Sequence, residues 1–242
     1  MAQTPTLNEL TYSVLNTVRS RTNISEPITN EIIQFHIKNV RAQLIKQDSN
    51  KGYTADSYII QELPCETVIL ADRGECCEVT GCTIYRTENK IPSPIELHHK
   101  QLITRIGSID KTQIGFDMID YAQVPYINFS RFTKNRPKVF TINNNGYFYF
   151  ILPEGSNLEG LQKVSIQGVF EDPMELMNSI YTTCAGDNCL GDDAPYPIKS
   201  WMVPTLIEMV VKIFIKPQSQ ALTDPNNNSK FDLEQTVANQ QQ

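Results

Sequence analysis

The run ADRGECCEVTGC, residues 71 to 82, concentrates the reactive groups of the chain. Cys76, Cys77 and Cys82 fall within seven positions, with Cys65 just upstream and Cys184 and Cys189 far downstream. Thiols so grouped could ligate a metal or run redox chemistry. Structural zinc sites pair their ligands as C-x2–4-C, twice, or combine one such pair with closely spaced histidines. The spacings here are Cys65-x10-Cys76, adjacent Cys77, then x4 to Cys82, with no CxxC anywhere. Adjacent cysteines on a strand point to opposite faces, so at most one of Cys76 and Cys77 could share a site with Cys82. His98 and His99 could complete a set, at a spacing that fits no zinc class. Three readings stay open. The residues favour buried small hydrophobes, the usual role of free cysteine. The alternatives are a zinc-stabilised cytosolic binding module using the Cys65–Cys82 cluster and a disulfide formed after cell lysis.

Other chemistry finds less support. Cys184 and Cys189 flank a loop with Asp187, Asp192 and Asp193, but the loop lacks the alternating carboxylates and bidentate Glu of a calcium site. Nucleophilic catalysis needs a thiol or hydroxyl beside a base. The three histidines, His36 on a helix and His98 and His99 in an expected strand, accompany no G-x-S-x-G, no papain-like cysteine context and no H-E-x-x-H. The 11 glycines are scattered and build no phosphate loop. No catalytic, cofactor-binding or metal residue is assigned, and the chain reads as a non-enzyme. One basic-aromatic stretch, NFSRFTKNRPK, interleaves Phe129 and Phe132 with Arg131, Lys134, Arg136 and Lys138. On an acidic protein such a loop reads first as a solvated or salt-bridging face, and only second as a nucleic-acid contact.

The bulk numbers agree. A chain of 242 residues suffices for one large domain or two small ones, and 40% hydrophobic with 20% charged residues is a folded composition. A net charge of −6 argues against binding through phosphate neutralisation. The start, MAQTPTLNELTYS, shows neither a basic n-region nor an apolar h-region, so no signal peptide is expected. The most apolar run, 201–215, carries Glu208 and Lys212 and is too short to span a bilayer. Synthesis in a reducing cytosol is expected, where structural disulfides are rare.

The elements follow from periodicity. Thr6 with Glu9 forms a capping box ahead of the stripe Leu7, Leu10, Val14 and Val18. A second helix follows Pro27, with Ile33, Ile37, Val40 and Leu44 on one face and Asn30, Lys38, Arg41 and Lys46 on the other. Together these read as an antiparallel helical hairpin, 7–47. The middle, 58–172, is β-rich, with strands expected at 58–70, 82–87, 95–106 and 161–172. VFTINNNGYFYFIL, two apolar runs joined by asparagines and Gly146, reads as a hairpin. Asp172 before Pro173 signals a helix start, and the segment MELMNSIYTTC should run to near Cys184. The last helix, from Pro197 or Pro204 to Lys216, spaces Ser200, Glu208, Lys212 and Lys216 at four-residue steps and is apolar nearly everywhere between. Such a helix must be covered on several sides, by its own chain or by a neighbouring subunit. The expected class is therefore α+β: an N-terminal helical hairpin and C-terminal helices (173–216) around a β-rich middle. Residues 1–216 form a single domain and 217–242 a polar tail, flexible or docked on a partner.

The run LADRGECCEVTGCTIYRTENKIPSPIELHHKQLITRIGSIDKTQIGFDMIDY resembles a structural protein of crAss-like bacteriophages, and YFYFILPE, VSIQGVFEDPMEL and YPI…LIEMVVK resemble its later blocks in the same order. The likeness covers most of 7–216. It implies a head-to-tail connector of a short-tailed phage, an adaptor or ring protein beneath the portal. More distantly the chain is similar to the adaptor rings of other short-tailed phages, from whose mostly helical build the β-rich middle departs. The resemblance implies a closed ring of copies, commonly twelve-fold, with portal and other connector or tail ring proteins as partners. DNA would pass through the channel without sequence-specific binding, and no membrane would be involved. It implies no cofactor and carries over no catalytic residue. It places the chain at the head–tail interface of the virion, and in the host cytoplasm during assembly.

Overall fold

Thr6 and Glu9 start the first helix by reciprocal exchange: the Glu9 N–H donates to Thr6 Oγ1 at 3.1 Å and the Thr6 N–H to Glu9 Oε2 at 3.0 Å. The computed structural model of the chain describes residues 4–21, 28–52, 56–71, 84–98, 100–113, 115–129, 139–152, 161–178 and 194–222. Helix α1 (Leu7–Arg21) buries the expected stripe of Leu7, Leu10, Val14 and Val18. Helix α2 (Asn30–Asn50) likewise buries Ile33, Ile37, Val40 and Leu44. The short α3 (Pro173–Asn178) begins where Asp172 accepts from the Met174 N–H at 3.0 Å. After a 3-10 turn at Ser200–Met202 comes α4 (Val203–Leu222), which packs on both α1 and α2. It runs past the expected end at Lys216 and through Pro217. Proline there removes the N–H that would bond the Ile213 carbonyl, yet leaves the flanking turns intact.

Seven strands form the other layer: β1 (Gln61–Leu70), β2 (Tyr85–Thr87), β3 (Ile103–Ser108), β4 (Asp117–Met118), β5 (Phe140–Asn144), β6 (Tyr147–Ile151) and β7 (Lys163–Gly168). Their order is β3-β7-β1-β2-β6-β5-β4, with every pair antiparallel except β4 with β5. The first part of β1 pairs with β7 and its last three residues with β2. Within the pairing with β7, at Leu63 to Glu66, the register shifts. Pro64 has no N–H to give a ladder there, so the strand bends. The bend turns the sheet on itself until its two ends touch, where the Phe116 N–H donates to the Ile106 carbonyl at 2.6 Å. Inside lie Leu63, Ile106, Val164 and Ile166 with Phe148, Phe150 and Phe170. The architecture is α+β, helices at both ends of the chain around a β-rich middle.

The stretch 95–106 departs from expectation. Only its end is strand; before that, Ile95 and Leu102 bond each other across a short excursion that carries His98. Both also bond the backbone of Val169, which fixes this excursion to the end of β7. Pro92 and Pro94 bar an earlier start to a ladder.

The β5–β6 hairpin closes in two residues, Asn145 at φ 52° and Gly146 at φ 84°. Two positive φ values define the turn type that matches strand twist, and Asn-Gly is its preferred pair. A Cβ on Gly146 would also lie 2.7 Å from Lys90 Cε. Gly146→Ala is therefore expected to cost about 1–2 kcal/mol, read as a lowered urea midpoint with an unchanged slope.

One residue reverses its expected side. Arg41, read as part of the polar face of α2, is completely buried. Its Nε donates to the Pro197 carbonyl and its Nη1 to the Phe170 carbonyl, each at 2.8 Å, while the guanidinium lies 5.7 Å from the Tyr196 ring centroid. The end of β7, the chain before α4 and α2 thus meet on one side chain.

Candidate assembly surfaces

The cysteine cluster resolves only in part. Cys76, Cys77, Cys82, Cys184, Cys189 and His99 lie outside the described residues, as do Arg131, Phe132, Lys134, Arg136 and Lys138 of the basic-aromatic stretch. Cys65, at the bend of β1, is half-buried and disulfide-bonded. The expectation of reduced thiols is corrected at that position. A reducing compartment bears on the oxidant available, whereas bonding geometry is set by which sulfurs the fold brings together. A sulfur held in a disulfide offers no thiolate, so Cys65 leaves the proposed zinc set. Among the described residues no group of three or more His, Cys, Asp or Glu is placed to hold a metal.

His36 is half-buried between two rings, with centroids 5.5 Å from Phe35 and 5.3 Å from Phe214, both edge-on. The contact places the start of α2 beside the end of α4. At the opposite end, Lys199 and Asp48 form an ion pair at 2.8 Å, both side chains nearly buried. Helices α2 and α4 are therefore antiparallel.

That packing divides the surface of α4. Leu206, Val210 and Val211 are buried against the helical layer, together with Met202 of the preceding 3-10 turn. Its own chain thus covers more of this helix than its sequence suggests. The remainder is still apolar in part: Ile213 is 40% exposed, and Trp201 in the preceding turn 61%. On α2, Phe35 is 53% exposed and Ile32 47%. The aromatic contacts join Phe35 through His36 to Phe214, beside Ile213, in one apolar face spanning two helices.

Two ion pairs also tie the helical layer to the end of the strand layer. Lys38 pairs with Asp172 at 2.9 Å and Lys46 with Glu171 at 3.1 Å. Both cations belong to the polar face of α2 that the periodicity marked out, and they face the end of β7 and the start of α3. Glu66, buried in β1, accepts from the Asn89 N–H at 2.8 Å, yet burial pushes its carboxyl above the usual carboxylate range. Glu62 lies below that range: burial, the largest influence, acts upward, and hydrogen bonds from Lys111 and Ser165 outweigh it.

A second surface opens where the sheet closes. Beyond the Phe116–Ile106 bond, β3 on one side and β4 and β5 on the other wall a cleft of about 850 Å³. Ile103, Phe116, Met118 and Ile142 line its apolar part, and Lys100 and Asp120 stand among its polar groups. Nothing in the strand periodicity announces this cleft, because it depends on which edges meet. Helices of the described residues are too short or too polar to cross a membrane.

The family described as phage tail ring protein 2 matches residues 9–237 of the chain. Ring protein 2 of Bacteroides phage crAss001 is 28% identical to it over 237 residues, a span that covers 94% of this chain and 98% of that relative.

Proposed function

The chain belongs to the phage tail ring protein 2 family, a structural component of the virion, and from that premise we propose that its copies close into a ring beneath the portal. The ring joins capsid to tail and lines the channel through which the genome leaves. Matching the portal, it holds twelve copies. The observation that carries this reading is the family match across 9–237. The exposed apolar face on α2 and α4 supplies what such a ring requires. A closed ring needs a head-to-tail interface, one patch of each copy against a different patch of the next. The residues up to the end of α4 act as one connector domain, and the tail beyond Leu222 orders against portal or neighbouring ring proteins. No turnover is involved. The net charge of −6 suits a channel that must not retain DNA.

Purified protein, alone and mixed with portal, should give rings by negative-stain microscopy and a matching native mass. Particles that stay monomeric even with portal present would overturn the reading. A channel wall dense in lysine and arginine would overturn its electrostatic part.

A further inference from the structure

Among the described residues, the seam cleft has an unfilled strand position. In the sheet order β3 and β4 are the two edges, and β4 is only two residues long. It covers β5 as far as Thr141, where the Asp117 N–H donates to the Val139 carbonyl and the Ile119 N–H to the Thr141 carbonyl. Residues 139 and 141 thus present their main chain away from β6. By the alternation of an antiparallel ladder, Asn143 presents its N–H and carbonyl the same way, beyond the end of β4 and into the cleft. At that end only a side-chain bond, Asn143 Nδ2 to Gln101 Oε1 at 2.9 Å, spans the gap. Main-chain groups at an open edge above an apolar floor are the two elements of strand addition: backbone bonds for affinity, pockets for alternate side chains.

The same chain carries a segment of the required pattern. Twenty residues follow Leu222, where α4 ends. Most are polar, but KFDLEQTV, residues 230–237, places Phe231, Leu233, Gln235 and Val237 at alternate positions, with Lys230, Asp232, Glu234 and Thr236 between them. That is a two-residue period whose one face is apolar at three of four positions and broken by Gln235. The family match ends at the same residue, 237.

We propose that residues 230–237 of one copy add as a strand to the seam cleft of the neighbouring copy in the ring. Phe231, Leu233 and Val237 face the floor around Ile103, Phe116 and Ile142. Asp232 and Glu234 then come within reach of Lys100 at the rim, where Glu96, Asp117, Asp120 and Arg105 also line the cleft. This inference rests on the ring reading, because only adjacent copies bring a tail to a foreign cleft. Exchanged tails would link each copy to the next beyond the helical contact.

The test mixes ¹⁵N-labelled and unlabelled full-length chains, assembles them and couples adjacent amines and carboxylates with a carbodiimide. Cross-linked peptides joining Lys100 to Asp232 or Glu234 are expected, including pairs of mixed isotope. Leu233→Asp alters the tail alone and should lower their yield by roughly tenfold, while removing the exchange protection of the Asn143 amide. Rings without any link from Lys100 to the tail overturn the exchange and leave the ring reading standing. Links confined to a single isotope assign the cleft to the chain's own tail and overturn it equally. Chains that never associate overturn both.

Discussion

Arg41→Ala is expected to remove about 3–5 kcal/mol of folding stability, a large share of what a domain of this size has. The side chain is fully buried and holds two carbonyls, Pro197 and Phe170, that come from different parts of the chain. Truncation leaves both oxygens without their donor and opens a void beside Tyr196. Each unpaired buried carbonyl costs about 1–3 kcal/mol, and the void adds to that. The native arrangement is itself not cheap. Burial holds the guanidinium below the usual arginine range, with Tyr196 and Asp172 opposing the shift, and burial pushes the Tyr196 hydroxyl up to about 12. Arg41 Nη2 and the Tyr196 hydroxyl both lack a hydrogen-bond partner. Arg41→Met, which fills the volume and removes the buried charge, should therefore cost less, about 2 kcal/mol. Arg41→Lys should resemble alanine more than methionine, since one ammonium on a flexible stem cannot reproduce a fixed fork toward two carbonyls. Urea unfolding followed by circular dichroism decides the order. Alanine within about 1 kcal/mol of the parent would show that the two carbonyls find other donors.

How far the sequence was readable varies with the range of the interaction. The stripes of α1 and α2, the capping box, Asp172 and the Asn145–Gly146 turn are local, and each was legible from a few neighbouring residues. Arg41 marks where residue type and spacing disagreed. It lies four positions after Ile37, and Asp48 four after Leu44, so both occupy the buried stripe of α2. Their charges suggested the outer face, while their spacing placed them inside. Spacing prevailed because partners distant in the chain, Phe170, Pro197 and Lys199, meet them there. The strand order was not legible at all. Pairing of β1 with β7 spans about a hundred residues, and the hand-over of β1 from β7 to β2 after Thr67 depends on both partners being present. The seam cleft inherits that non-locality. Cys65 failed for another reason, since an argument from compartment says nothing about distances between sulfurs.

Placing a charge on α4 separates its two faces. Val210 is fully buried between the helices, and Ile213, less than one turn on, is 40% exposed. From sequence alone the two looked alike, each apolar in an apolar run. Val210→Asp puts a carboxylate into the hydrophobic cluster that includes Leu10, Ile37 and Leu206. The expected loss exceeds about 4 kcal/mol, enough to leave the chain unfolded or insoluble at ordinary temperature. Ile213→Asp keeps its carboxylate in water and should lie within about 1 kcal/mol of the parent in stability. Its effect should appear in assembly if, as proposed, a neighbouring copy covers Phe214 and Phe35 in a ring. Melting curves and native mass on both variants give the contrast: Val210→Asp loses the cooperative transition, whereas Ile213→Asp keeps it and loses the oligomer. If Ile213→Asp assembled as fully as the parent, the outer face of α4 would play no part in joining copies. The apolar surface of this helix would then be accounted for by its own chain, and the contacts that close the ring would have to come from the strand layer.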